Sequence, residues 1–376
     1  MNAEKLLIVF GTRPEAIKMA PVIKEFKKYP KEFEVFVCVT AQHREMLDQV
    51  LDFFSITPDY DLDLMIPNQR LDQLTSKILE GVTGVIDEVD PDYVYVHGDT
   101  TTTLAASLAA FYKQIKVGHV EAGLRTFNKS APFPEEINRQ LTSRLADLNF
   151  APTQQAKQNL LDEGVDPNSI FVTGNTVVDA LHYTLEKVKL ATTDEIKELH
   201  ELIDTDSKLV LVTGHRRENF GEGFKNICEA LREVASFNQV QIIYPVHLNP
   251  NVREQVLKLL GGINNIHLID PLPYEAFVWL MNESDLIITD SGGIQEEAPS
   301  LKKPVLLMRE VTERPEVLNA GVILVGAKKE RIISEADSLL KEEKTGEELY
   351  PQEPLFGDGN AAKLIVENQR IAQTKS

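Results

Sequence analysis

The residues able to do chemistry gather in short runs, each directly after an apolar stretch. Asp290-Ser291-Gly292-Gly293 follows Leu286–Thr289 and opens a helical pattern over Ile294–Leu301. Two glycines let the backbone come close to a ligand. The free N–H groups and positive dipole end of a helix start then favour a phosphate. A tight strand-to-helix turn capped by Ser would use the same residues. Glu296 and Glu297 fall in the first helical turns, where acids complement the dipole; a carboxylate one turn below a phosphate site also reaches ribose hydroxyls. Gly11-Thr12-Arg13-Pro14-Glu15-Ala16-Ile17-Lys18 is the matching turn after Leu6–Phe10. Pro14 suits a helix start. Arg13 and Lys18 have the wrong sign for that end of the dipole, which argues for an anionic ligand against a pair of solvated cations.

Carboxylates recur after two further apolar runs. His97-Gly98-Asp99-Thr100-Thr101 follows Tyr93–His97, and Asp99 or a Thr would serve equally as a helix cap. Glu121 ends the run Lys116–Glu121 and precedes Ala122-Gly123-Leu124-Arg125. A carboxylate there is partly buried and needs a partner or a raised pKa. Glu135 and Glu136 open another helical stretch, Pro134–Ala146, where acids are also the ordinary choice for a first turn. Gly214-His215-Arg216-Arg217-Glu218-Asn219 follows Leu209–Thr213; one His and two Arg there suit anion binding or acid–base work. Thr312-Glu313-Arg314-Pro315-Glu316 offers a further Arg after Val305–Met308. No HExxH, Cys/His metal spacing, GxxxxGK[ST] or strand-following GxGxxG is present. Cys38 lies in the apolar run Val35–Val39 and reads as a small buried hydrophobe; with Cys228 it is too far apart for CxxC.

Positioning these runs requires strands that alternate with helices. Further strands are expected at Phe33–Thr40, Leu148–Ala151, Val240–Val246 and Ile266–Ile269. Helices are expected at Glu15–Tyr29, His43–Phe54, Leu71–Glu88, Thr102–Lys113, Phe224–Val234, Pro250–Leu260 and Tyr274–Asn282. Near-continuous apolar strands separated by helices mean parallel sheets covered on both faces. Two such series predict an α/β chain of two doubly wound, Rossmann-like domains, with a boundary near Gly174. Lys187–Ser207 is charged, is expected to be helical and belongs to the entry of the second domain, and Asn360–Gln373 reads as a final helix. Ligands of open α/β sheets bind beyond the carboxyl ends of the strands, where the runs above fall.

Size and charge agree. At roughly 100–200 residues per domain, 376 residues predict two domains or three. Hydrophobic residues at 43% and charged residues at 26% exclude a disordered chain. With 39 Lys and Arg against 58 Asp and Glu, the formal charge of −19 argues against nucleic-acid and polybasic membrane binding. Met1-Asn2-Ala3-Glu4-Lys5 leads straight into a strand, and no apolar run approaches the ~20 residues of a membrane span. A cytoplasmic protein is expected.

Taken together, the runs Phe10–Lys18, Val96–Thr100, His119–Arg125, Gly214–Asn219, Asp290–Pro299 and Thr312–Glu316 closely resemble the non-hydrolysing UDP-N-acetylglucosamine 2-epimerases of bacteria. The resemblance spans essentially the whole chain. It implies the GT-B architecture, two Rossmann-like domains facing a cleft, with 1–173 plus 360–376 in the first and 174–359 in the second. It implies an isomerase that interconverts UDP-GlcNAc and UDP-ManNAc, without cofactor or metal, as a homodimer, and that supplies ManNAc units for cell-surface polysaccharide. Carried onto this chain, Ser291, Gly292, Gly293, Glu297 and Arg314 form the UDP site, with Phe277 near the uracil. Arg13, Lys18 and Arg139 bind substrate, and Asp99, Glu121, Glu135 and His215 are the acid–base and orienting groups. Gln42, His43, Gln69 and His247 resemble a regulatory UDP-GlcNAc site.

The hydrogen to be inverted sits on C2 of the sugar, which is not next to a carbonyl. Oxidation of a neighbouring carbon by NAD is disfavoured by the missing nucleotide fingerprint. The other route, which the resemblance implies, breaks the C1–O bond, releases UDP, removes C2–H and holds 2-acetamidoglucal until UDP adds back. A retaining glycosyltransferase of the same architecture, or a hydrolysing epimerase, would share the UDP site. The extra carboxylates Asp99, Glu121 and Glu135 favour the epimerase.

Overall fold

A computed structural model describes residues 3–40, 44–64, 69–214, 216, 219, 221–312, 314–341, 350 and 354–373. The chain divides into two compact units, Met1–Ala180 with Phe356–Ser376, and Leu181–Leu355.

In the first unit β1 (Glu4–Phe10), β2 (Phe33–Val39), β3 (Tyr60–Asp61), β4 (Tyr93–His97), β5 (Lys116–Val120), β6 (Leu148–Ala151) and β7 (Ile170–Val172) form one sheet in the order β3-β2-β1-β4-β5-β6-β7. Every pairing is parallel. Leu6–Phe10 are fully buried because helices cover both faces. On one face Leu7, Val9, Val94 and Val96 pack against Ile78 and Val82 of α3 (Leu71–Val89) and Ala105, Ala106 and Ala109 of α4 (Thr101–Tyr112). The small alanines let α4 lie close on the sheet. On the other face Phe26, from α1 (Arg13–Phe26), meets Tyr95 edge-on with ring centroids 5.3 Å apart. The buried Tyr95 hydroxyl donates to Gln369 Oε1 at 2.5 Å, on the C-terminal helix Ala361–Gln373.

The second unit repeats the wiring. β8 (Lys208–Thr213), β9 (Val240–Pro245), β10 (Ile266–Ile269), β11 (Leu286–Thr289), β12 (Val305–Leu307) and β13 (Val322–Leu324) pair in the order β10-β9-β8-β11-β12-β13. These pairings are also all parallel. Val210, Val212 and Ile288 pack against Phe224, Ile227 and Leu231 of the helix Glu222–Val234.

The expected pair of doubly wound parallel sheets is what the structure has. Its details differ from the sequence reading. Helices at Gln154–Asp162, Thr176–Leu190 and Lys329–Leu340, and strands β3 and β13, were not expected. Of the charged stretch Lys187–Ser207, expected to be helical, Lys187–Leu190 end the helix Thr176–Leu190 and Asp194–Leu202 form another. The strand expected to run to Glu121 ends at Val120, and Glu121 turns away with φ +62°.

In each sheet the strand order reverses beside the unit's first strand, between β1 and β4 and between β8 and β11. These are the switch points at which open α/β sheets bind ligands. The loops leaving those four strands carry four of the chemistry-bearing runs, and those of Glu121 and Arg314 follow the neighbouring strands β5 and β12.

Candidate functional site

At the first switch point the loop after β1 is fixed by a capping box. Thr12 Oγ1 accepts from Glu15 N–H, and Glu15 Oε2 accepts from the N–H groups of Thr12 at 2.8 Å and Gly11 at 3.0 Å. The other Glu15 oxygen accepts from the Thr100 hydroxyl at 2.7 Å, in the loop after β4. One buried carboxylate thus ties the two loops together. Burial pushes its carboxyl up, while the bonds from Thr100, Thr12 and Gly11 oppose the shift.

With α1 set, Lys18 lies one turn further on and is ion-paired with Glu121 Oε2; both side chains are buried. Asn175 Nδ2 donates to the same oxygen at 2.7 Å, and His97 Nε2 lies 3.7 Å from it. Glu121 is a non-glycine residue in the left-handed region, a conformation worth about 1–3 kcal/mol of strain that its surroundings must hold. Burial pushes the His97 ring down to about 4, although Glu121 pulls the other way. Burial likewise takes His119, on β5, down to about 3. Both imidazoles are neutral at pH 7. His119 Nε2 faces the Gly98 carbonyl at 2.7 Å, so that nitrogen carries the proton and donates.

Asp99 is held from α5 (Glu135–Leu145). Arg139 Nη1 lies 3.5 Å from its carboxylate, and Asn138 Nδ2 donates to its backbone oxygen at 2.9 Å. Arg139 is buried and its Nε is 3.3 Å from Glu136. Glu136 itself accepts from the N–H groups of Thr126 at 3.0 Å and Phe127 at 2.9 Å. Burial raises its carboxyl, but these bonds, Arg139 and Gln140 outweigh burial and hold it below the usual range. Glu135 heads α5 half-buried, after cis bonds at Ala131–Pro132 and Phe133–Pro134. Arg13 is the first residue of α1 and half-buried.

At the second switch point the tying carboxylate is Asp290, 1% exposed. Its Oδ2 accepts from Arg216 N–H at 3.0 Å and Asn219 Nδ2 at 3.2 Å, joining the β8 and β11 loops. The helix Ile294–Ser300 starts from Gly293 with no side-chain cap, so the expected Ser cap is absent. The Ser291 N–H donates to Thr289 Oγ1 at 3.0 Å. Among the described residues, no hydrogen bond is made by the N–H of Gly292 or Gly293. Gln295 braces this turn by donating to the Ser291 carbonyl at 3.1 Å, and Thr312 donates to Gln295 Oε1 at 2.5 Å. Arg314 is ion-paired through Nε with the buried Glu296, which fixes the plane of its guanidinium. Glu297 is buried one residue on, and Phe277 is half-buried on the helix Tyr274–Glu283.

Of the residues likened to a regulatory site, His247 is exposed after β9 and its Nδ1 accepts from Asn249 N–H at 3.0 Å. The Gln69 amide is buried with no hydrogen-bond partner among the described residues. Gln42, His43 and His215 lie outside the described residues. Sequence reading passed over Glu15 and Asn175, and it read Glu296 as a first-turn acid or a group for ribose hydroxyls rather than as the partner of Arg314. Thr12-x-x-Glu15 is a capping-box signal that could have marked the first. Among the described residues no group of three or more His, Cys, Asp and Glu side chains is placed to hold a metal ion. No described helix is long and apolar enough to cross a membrane.

The first switch point therefore holds a carboxylate paired to an ammonium in a buried setting, and the second presents backbone N–H groups beside a guanidinium braced by Glu296.

The chain is similar to known proteins over nearly its whole length. The family model for UDP-N-acetylglucosamine 2-epimerase matches residues 24–369. A protein of Escherichia coli K12 with that name is 56% identical over 375 residues, 98% of this chain and 100% of its own. The crystal structure of UDP-GlcNAc 2-epimerase from Neisseria meningitidis bound to UDP-GlcNAc superposes with a TM-score of 0.91 at 52% identity, covering 98% of this chain and 100% of that one. The Methanocaldococcus jannaschii UDP-GlcNAc 2-epimerase in complex with UDP-GlcNAc and UDP superposes at 0.81 with 35% identity, covering 98% and 99%.

Proposed function

This chain belongs to the UDP-N-acetylglucosamine 2-epimerase family, and we propose how its two switch points divide that reaction. The enzyme is an isomerase that interconverts UDP-GlcNAc and UDP-ManNAc by inverting C2.

The second unit takes the nucleotide end. Negative charge grows on the diphosphate as C1–O breaks. The N–H groups of Gly292 and Gly293 and the guanidinium of Arg314 meet it, with Arg13 and His215 as further donors. Each well-placed donor is commonly worth about 2.7–4 kcal/mol in a dry site. Glu297 takes the ribose hydroxyls and Phe277 the uracil. The first unit takes the sugar. Glu121, Asp99 and Glu135 remove the C2 proton from one face and return one on the other. UDP leaves, 2-acetamidoglucal stays bound, and UDP adds back to C1.

The observation that carries this division is the buried Lys18–Glu121 pair with Asn175 on the same oxygen. A carboxylate held by two donors is a poised base, and the ammonium beside it keeps it ionised. Run in heavy water, the product should carry deuterium at C2. Full retention of the original hydrogen would sink the elimination route, and a product formed only with an added acceptor would point to a glycosyltransferase.

The reading extends to setting and control. A nucleotide-sugar substrate supports a cytoplasmic enzyme that feeds surface polysaccharide synthesis. Ile137 and Leu141, one turn apart on α5, and Phe111 and Tyr112 at the end of α4 are exposed apolar side chains that suit a homodimer; sedimentation of Leu141→Asp against wild type checks it. The Gln69 amide, buried with no hydrogen-bond partner among the described residues, supports the regulatory UDP-GlcNAc reading of Gln42, His43, Gln69 and His247. Identical initial rates from UDP-ManNAc with and without trace UDP-GlcNAc would remove that site.

A further inference from the structure

Resting on the assignment of Glu121 to the C2 proton, we propose that Asn175 is the positioning residue that aims the Glu121 carboxylate and keeps it charged. Asn175 is 2% exposed and heads the helix Thr176–Leu190. Four hydrogen bonds fix it. Its N–H donates to the Phe356 carbonyl at 2.8 Å, and its own carbonyl accepts from Val178 N–H at 3.0 Å. Its Oδ1 accepts from Val177 N–H at 3.0 Å, and its Nδ2 donates to Glu121 Oε2 at 2.7 Å.

That pattern removes the usual ambiguity of an amide. Oδ1 is committed to a backbone N–H, so only the NH₂ end can face the carboxylate. The backbone is as constrained as the side chain. Gly174 stands at φ +85°, and a Cβ there would come within 2.8 Å of the Phe356 carbonyl oxygen. Only glycine lets the two segments approach closely enough for the Asn175–Phe356 bond. Glu121 needs such a fixed partner, because its own backbone is left-handed.

The titratable groups facing Glu121 are Lys18 from α1, His97 from the end of β4 and His119 from β5. Burial keeps both imidazoles neutral, with Glu121 opposing that shift at each. The ammonium and the amide both favour the ionised carboxylate.

Asn175→Asp separates positioning from helix capping. Asp has the same shape and caps a helix as well as Asn, but it turns the donor toward Glu121 into an acceptor. Asn175→Ser also caps, and is too short to reach. With UDP-GlcNAc as substrate, Asn175→Asp should lower kcat about 10-fold or more and leave KM nearly unchanged. Its acid limb of kcat should rise by about one pH unit. The Ser variant should lose kcat with a smaller rise. The Ser variant should melt near wild type, and Asn175→Asp lower, because it buries a second carboxylate against Glu121. A cap-only role predicts wild-type kcat and acid limb in both variants, and that result overturns the proposal. The titration of the Glu121 carboxyl, followed by ¹³C resonance and assigned with Glu121→Gln, decides the same point without turnover. A higher midpoint in Asn175→Asp supports the proposal; an unmoved one overturns it. Wild-type enzyme that leaves UDP-GlcNAc unchanged would instead overturn the functional reading, while the titration still judges Asn175.

Discussion

The two switch points share one wiring and use it for opposite purposes. In each, a single buried carboxylate ties the loop of the unit's first strand to that of its neighbour: Glu15 joins the loops after β1 and β4, and Asp290 those after β8 and β11. Beyond that common brace they diverge. The first packs ionisable groups against one another: Lys18 on Glu121, His97 beside them, Arg139 near Asp99. The second presents backbone N–H groups on a glycine turn, held by Gln295 and Thr312. Buried charges are costly unless paired, so the first switch point needs its partners before any substrate arrives. Peptide dipoles are neutral and wait for an anion at little cost. The wiring supplies position, and the loop residues supply chemistry.

The largest effect should come from the charge at the centre of the first switch point. Glu121→Gln keeps the size of the side chain and removes the proposed base. Turnover should fall about 10²–10⁴-fold, while UDP affinity by calorimetry stays at the wild-type value. Loss of UDP binding in step with turnover would mean that the two switch points do not divide the work.

A smaller and reciprocal effect should come from Gly293→Ala. Gly293 has φ −65°, and a Cβ there would meet nothing within 4 Å. The fold has no need of glycine at this position, so the melting temperature should hold. In the proposed nucleotide site the methyl group would crowd a phosphate approaching the N–H groups. UDP affinity should fall about 10-fold, or about 1.4 kcal/mol. Gly123 is the control: at φ +94° its Cβ would stand 2.2 Å from the Ala156 carbonyl oxygen, so Gly123→Ala should damage stability. Unchanged UDP affinity in Gly293→Ala would remove the glycine turn from the nucleotide site.

How much of this was legible follows from what is local. Leu6–Phe10, Tyr93–His97 and Leu286–Thr289 read as strands because burial on both faces makes them apolar throughout, and the runs after them fell at the switch points. β3 was invisible: two residues, Tyr60 and Asp61, paired to the edge of β2 carry no pattern. Glu121 was assigned to a strand because its neighbours are apolar, and a left-handed backbone leaves no mark on a Glu. Its Asn175 partner is 54 residues away, and Arg314 finds Glu296 across 18. Pairings of that kind come from the sheet order, which a linear pattern does not contain. Glu136 looked like an ordinary first-turn acid, yet it holds the loop at Thr126 and Phe127.

The smallest effect should distinguish the two units by their response to acid. The first switch point buries two neutral histidines, His97 near 4 and His119 near 3. An unfolded histidine titrates near 6.5. Below that pH the unfolded chain takes up protons that the folded one refuses, so stability falls between pH 6.5 and the folded values. Buried carboxyls in the same unit work against this. Burial raises Asp179 to about 6 and also raises Glu15; each binds its proton more readily folded, which favours the fold as pH drops. The absolute pH curve mixes both signs, and a difference between variants isolates one. His119→Gln keeps a donor for the Gly98 carbonyl and cannot be protonated. Relative to wild type it should gain about 1.4 kcal/mol between pH 7.5 and 5.5, the cost of one pH unit for one refused proton. Hydrogen exchange should place that gain in amides of β4 and β5, and leave β8 and β11 of the second unit unmoved. A variant that follows wild type in parallel from pH 7.5 to 5.5 would show that His119 takes up its proton in the folded protein, and that the first switch point is wetter than its burial implies.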